Sequence, residues 1–234
     1  MSDYNDFQSS SISKFFTGIY TITFGSIYFT LCNFLIIISL YALKIDIRNI
    51  IAFYIALIPT GPSLSAFIAV INKFNENKEI NITKDFFKQY IKNLKPALKI
   101  WIILLTLGTI LIFDLNICFE NSKFPILILP MIMMLILIIL LILNSFPILC
   151  RYEINTWNNL KLSIYLIFRK PLNSIINLLI LIVWVNLLNF NNIIIKLLVS
   201  GIAVFSIMKL YQNNYKIIDN KYLDNLYNSD KLTL

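Results

Sequence analysis

Few residues of this 234-residue chain can do chemistry, and most of them interrupt apolar runs. Pro59-Thr60-Gly61-Pro62 breaks one such run, and Asp114 is an acidic residue inside another. Each proline removes a backbone donor and clashes with the preceding turn, so a helix must bend or break there and leave carbonyls that need partners. Breaks of this kind form ligand or ion sites in transporters, and elsewhere they are packing kinks. Because the run carries no charge, the kink is favoured, with a substrate-lining break built from Pro59, Thr60, Gly61, Pro62 and Asp114 as the alternative. Asp114 is fifteenth of twenty residues in its run, about 21 Å from the inner end. Thr106, Thr109, Asn116 and Glu120 share its side of a helix, an arrangement suited to a polar cleft opening outward. An interfacial, structural carboxylate is favoured there over one that binds a proton or substrate.

Other chemistry is excluded by residue type. Without any histidine, His-dependent triads, most catalytic zinc or iron sites and a pH switch near neutrality fall away. Cys32, Cys118 and Cys150 lack CxxC spacing and sit in or beside apolar runs, where cysteine behaves as a small hydrophobe. No nucleophile has an adjacent base, and five glycines form no phosphate-cradling loop. The expectation is therefore a protein that is not an enzyme, with no cofactor and no metal.

The elements that position these residues follow from composition. The chain is 58% hydrophobic and 14% charged, against roughly a quarter charged in a soluble domain, and its mean hydropathy is +0.76. Lipid must be the solvent for much of its surface. Six runs are long enough, or nearly so, to cross about 30 Å of hydrocarbon: residues 15–43, 50–71, 100–119, 124–149, 172–188 and 193–208. The expected fold is all-α, a polytopic membrane helix bundle of about six transmembrane helices with cytoplasmic amphipathic helices. Residues 1–14 form an N-terminal segment, 15–210 the membrane domain and 211–234 a tail. The first run is too long for a signal peptide and lacks a basic flank, so it is expected to remain in the mature protein. With six spans, sixteen of the twenty basic residues fall on one side, which predicts a multi-pass protein of a bacterial cytoplasmic membrane with both termini inside. The same placement explains the +8 charge without nucleic acid.

Two inner segments are patterned. In residues 84–94, Phe86, Phe87, Tyr90, Ile91 and Leu94 fall within about 140° of arc, with Lys84, Lys88 and Lys92 outside it. The expectation is an amphipathic helix capped by Asn81 or Thr83 and ended by Pro96, lying on anionic headgroups or, alternatively, docking a cytoplasmic partner. In the fourth loop, Arg151 and Glu153 anchor the end of one span, a helix-compatible stretch runs from Trp157 to Phe168, and Arg169-Lys170-Pro171 enters the next. Lys95-Pro96 and Lys170-Pro171 would then occupy equivalent inner helix starts. Asn33, Asn144, Asn177 and Asn186 read as interhelical packing groups.

Three blocks carry a resemblance to the YesL-like family of bacterial membrane proteins, whose molecular function is undefined. They are Ile58-Pro59-Thr60-Gly61-Pro62-Ser63-Leu64-Ser65-Ala66-Phe67, the segment from Asp85 to Leu94, and Phe146-Pro147-Ile148-Leu149-Cys150-Arg151-Tyr152-Glu153 followed by Arg169-Lys170-Pro171-Leu172. Ser63 and Ser65 depart from the small residues usual after the Gly-Pro step. The resemblance implies a multi-spanning protein associated with carbohydrate uptake, whose partners are the lipid bilayer and a sugar transporter or sensor. It supplies no catalytic or ligand residues, and no oligomeric state is read from the sequence. The competing expectation is a small transporter or channel for a sugar or ion.

Overall fold

A computed structural model of the chain describes residues 11–76, 78–120, 125–152, 154–188 and 193–231, and among these all regular structure is helical. The helices are α1 Ser11–Cys32, α2 Phe34–Ala42, α3 Ile50–Leu57, α4 Thr60–Asn75, α5 Ile82–Glu120, α6 Pro125–Arg151, α7 Thr156–Arg169, α8 Pro171–Leu187 and α9 Ile193–Lys231. Residues 1–10, Phe124, Glu153 and the proposed outer turn at 189–192 lie outside the described residues.

Helix α4 is the centre of the bundle. It is buried without interruption from Ser65 to Ile71 and packs against α1, α5, α6 and α9. Close approach needs small residues in a membrane, where no hydrophobic effect draws helices together. Gly25 of α1 provides one such place, since a Cβ there would collide with the Phe67 ring of α4. Outward faces are apolar instead: Ile126 is 84% exposed, and Leu172 of α8 is 74% exposed. An interior containing Asn33, Ser63, Asn144 and Ser163 beneath an apolar exterior is the arrangement that a lipid solvent favours.

By length and composition α1, α5 and α6 can each cross a membrane, and up to five crossings result if each sharply bent helix pair counts as one. The sequence-derived fifth run is α8, only 17 residues long, while the sixth opens α9, where the apolar stretch is Leu198–Gln212. Proline marks the second run as anticipated: α3 with its preceding turn meets α4 at 45°, across Ile58-Pro59. Only one break results, because Pro62 falls in the first turn of α4, where its missing N–H is not needed.

Pro96 does not behave as expected. Rather than ending an amphipathic helix, it lies inside α5, a continuous 39-residue helix about 58 Å long. Ile82, Phe86, Asn93, Ala97, Ile100 and Leu104 form one buried stripe running straight past the proline. Packing along that stripe holds the two halves together despite the lost donor. Pro171, by contrast, does start a helix, so the two Lys-Pro pairs are not structurally equivalent.

Candidate functional site

The break after α3 is closed by the protein itself. Asn33 interrupts the first apolar run between α1 and α2 and is 4% exposed. Its Nδ2 donates to the Phe29 carbonyl at 2.7 Å and to Ser63 Oγ at 2.8 Å, while its Oδ1 accepts from Thr60 Oγ1 at 2.7 Å. Ser63 Oγ in turn lies 3.0 Å from the carbonyls of Pro59 and Thr60. Trp101 of α5 donates from Nε1 to the Leu57 carbonyl at 2.7 Å, just before the break. The indole fits because residue 61 is glycine: a Cβ there would stand 2.6 Å from both Cβ and Cγ of Trp101. Ser63, one of the departures from the resembled pattern, is thus the hydroxyl that joins the two interrupted runs, and Ser65 Oγ donates within its own helix to the Pro62 carbonyl.

Asp114 does not join this arrangement. It follows Trp101 by thirteen residues on the same helix, about 20 Å along the axis, so Pro59 to Pro62 and Asp114 are not one site. Nearer Trp101, Thr106 Oγ1 is 2.9 Å from Tyr54 OH and donates to the Ile102 carbonyl; beyond Asp114, Asn116 Nδ2 reaches Glu120 Oε1 at 2.9 Å.

A second polar cluster lies at the opposite end of α4. Arg151, at the end of α6, meets Asp219 at 3.0 Å and Glu76 at 3.5 Å, with its guanidinium 4.4 Å from the Tyr215 ring centre. Tyr152 OH donates to Asp219 Oδ1 at 2.5 Å. Burial, and then the hydrogen bond and charge of Asp219, hold the Tyr152 hydroxyl well above the ordinary tyrosine value. Tyr215 OH bonds to the Pro147 carbonyl at 3.1 Å and meets Asn72, and Tyr211 OH reaches the Asn144 carbonyl at 3.2 Å. One carbonyl is Pro147's own and the other lies three residues before it, so tyrosines of α9 meet α6 at the turn where the proline has no N–H to donate. Glu76, Arg151 and Asp219 tie together α4, α6 and α9.

The patterned segment of the second loop is split between interior and exterior. Asn81 caps α5 by accepting from the Lys84 N–H at 3.2 Å, and Asp85 accepts from the Asn81 N–H at 2.9 Å and pairs with Lys73 at 2.8 Å. Phe86, expected on a lipid or partner surface, is fully buried against Tyr28 of α1 and belongs to the core. Tyr90 is half-buried; Phe87, Ile91, Lys84, Lys88 and Lys92 are exposed. Arg169 and Lys170 are exposed at the corner between α7 and α8.

Tyr211, Tyr215 and Asp219 lie within the segment that the sequence marks as a tail, yet they belong to the bundle. A signal exists: Val204, Met208, Tyr211, Tyr215 and Ile218 are spaced four, three, four and three, the rhythm of one buried helix face continuing past residue 210.

Apolar helices long enough to span a bilayer, packed around a polar-bonded interior, define an α-helical membrane protein. Within that class, residues 21–115 match a family model described as "Protein of unknown function, DUF624", and YesL is itself a DUF624 protein. The matched segment contains the Pro59 to Pro62 break, the Asp85 to Leu94 segment and Trp101, whereas the Phe146 to Glu153 block lies beyond it. No curated protein and no solved structure matches the chain.

Proposed function

We propose that this chain is a non-enzymatic accessory protein of the bacterial cytoplasmic membrane, both termini inside, working beside a carbohydrate importer or sensor through its inner face. The observation that carries this reading is the closure of the Pro59 break. Asn33, Pro59, Thr60 and Ser63 bond to one another, and Leu57 accepts from Trp101. A sugar path needs several convergent polar groups aimed at its occupant, and here those groups point at each other. The inner extension of α5, meanwhile, carries exposed Phe87 and Ile91 beside Lys84 and Lys88. Aromatic and aliphatic anchors rimmed by charge suit a protein contact.

The purified full chain in proteoliposomes tests this directly against the transporter alternative. A panel of labelled mono- and disaccharides should give neither uptake above protein-free vesicles nor a ligand-dependent thermal shift. Saturable uptake of any of them, abolished by Thr60→Val, would reverse the assignment.

A further inference from the structure

Helix α7 buries two polar residues beside Leu160, Leu166 and Ile167 and leaves a large apolar stripe outside. Its inward side includes buried Asn159 and Ser163, with Ser163 Oγ 3.0 Å from Ser145 Oγ and Asn159 Nδ2 donating to the Ser145 carbonyl. Its outward side carries Trp157, Ile164 and Phe168, one helical stripe that the protein leaves uncovered, with Phe168 71% exposed. Lys161 interrupts that stripe, and Arg169 and Lys170 close it. No acidic residue occurs from Thr156 to Lys170.

Orientation makes this face informative. Helices α7 and α8 meet at 100° across Lys170. Membrane-crossing helices tilt by about 20° from the bilayer normal on average, so if α8 crosses, α7 lies near the plane of the membrane surface. The apolar surface also continues around the corner, through exposed Leu172, Ile175 and Leu179 of α8.

We propose that α7 is an interfacial helix that inserts Trp157, Ile164 and Phe168 into one leaflet and sets Lys161, Arg169 and Lys170 against the headgroups of anionic phospholipids. Tryptophan and phenylalanine suit the acyl boundary, and long basic side chains reach back to phosphate from beside an apolar stripe. This assigns to α7 the role that the sequence suggested for residues 84–94, and it does not depend on the partner proposed above. A protein occupant would leave the right-angle turn without a reason, and within α7 itself the basic residues have no acidic companion.

The test uses the full chain in nanodiscs of phosphatidylcholine with one-fifth phosphatidylglycerol, carrying a photo-crosslinking p-benzoylphenylalanine at position 157, 164 or 168. Intact-mass analysis should find lipid adducts at all three positions, several-fold more than at buried position 166, with phosphatidylglycerol over-represented. Lys161→Gln, Arg169→Gln and Lys170→Gln together should abolish that over-representation while the adducts to phosphatidylcholine persist. Adducts no more frequent at 164 and 168 than at 166 would overturn the proposal, as would an anionic-lipid preference unchanged by the triple variant. So would cross-links in native membranes that join these positions to another protein rather than to lipid. Monodisperse elution of each labelled protein confirms folding, and because the three labelled positions are exposed, any two suffice for the comparison.

Discussion

Gly61 and Trp101 share one space: the glycine has no side chain, the indole fills the vacancy with its Cβ and Cγ 2.6 Å from where another Cβ would be, and its Nε1 then reaches the Leu57 carbonyl at 2.7 Å. The break before α4 depends on that fit. Gly61→Ala should displace Trp101 and destabilise the protein by about 1–3 kcal/mol, the usual penalty of overpacking. Gly108→Ala, on the same α5 helix as Trp101 with open space around it, should leave stability unchanged or slightly raised. Detergent-solubilised thermal unfolding of the two variants is the comparison; equal melting points would contradict the packing described.

Asn33 bridges two interrupted runs, so its loss should be felt at Thr60 and Ser63. Asn33→Ala and Thr60→Val should each lower stability, and the double variant should cost less than the sum. The coupling should be of the order of 0.6 kcal/mol, the average for interhelical hydrogen bonds in membranes. A double-mutant cycle by denaturant unfolding measures it, and strict additivity would mean that the 2.7 Å contact contributes nothing.

Alkaline pH should loosen the cluster around Arg151. The hydroxyls of Tyr152 and Tyr215 are both raised above the ordinary tyrosine value, chiefly by burial. A raised value means that the folded state holds the proton more tightly than the unfolded chain. That stabilisation is complete below the unfolded pKa of about 10 and is lost as pH climbs through the shifted values. Melting temperature should therefore decline above about pH 10 more steeply in the parent than in Tyr152→Phe. Identical slopes would contradict a buried, Asp219-bonded phenol.

Two adjacent phenylalanines should respond differently to the same substitution. Phe86 is fully buried and Phe87 is 45% exposed. Phe86→Ala should cost about 3–5 kcal/mol, the range for deleting a buried ring, and Phe87→Ala far less. Expression and melting temperature in detergent provide the readout. Phe86 is consequently unsuitable for probing a partner surface, since its variants would report on folding.

Which parts of this architecture were legible in the sequence depends on how local their causes are. The bend at Pro59 was legible because a missing N–H acts within four residues. The helix from Trp157 to Phe168 was legible because its pattern and its closing Lys-Pro pair are contiguous; it is observed as Thr156–Arg169. The continuity of α5 past Pro96 is not legible locally, because what maintains it is a buried stripe covered by other helices. Phe86 was misplaced for a related reason. An amphipathic helix shows that it has an apolar face but not that Tyr28 of α1 covers part of it. Arg151 is legible as a boundary residue, but its partner Asp219, sixty-eight residues away, is set only by packing across the bundle. Asn33 was recognised as an interhelical group, but its particular partners, Thr60 and Ser63, are set only by the packing of α1 on α4.

The central claim is that the inner face of this protein meets a carbohydrate importer or sensor, and cross-linking mass spectrometry on native membranes tests it most directly. Subunits of such a system should cross-link to the lysines around Phe87 and Ile91, and Ile91→Asp, at a position 74% exposed, should remove those cross-links without lowering the melting temperature. Cross-links that persist undiminished in Ile91→Asp, or a protein that cross-links to no carbohydrate-uptake component while transporting sugar alone, would contradict the account.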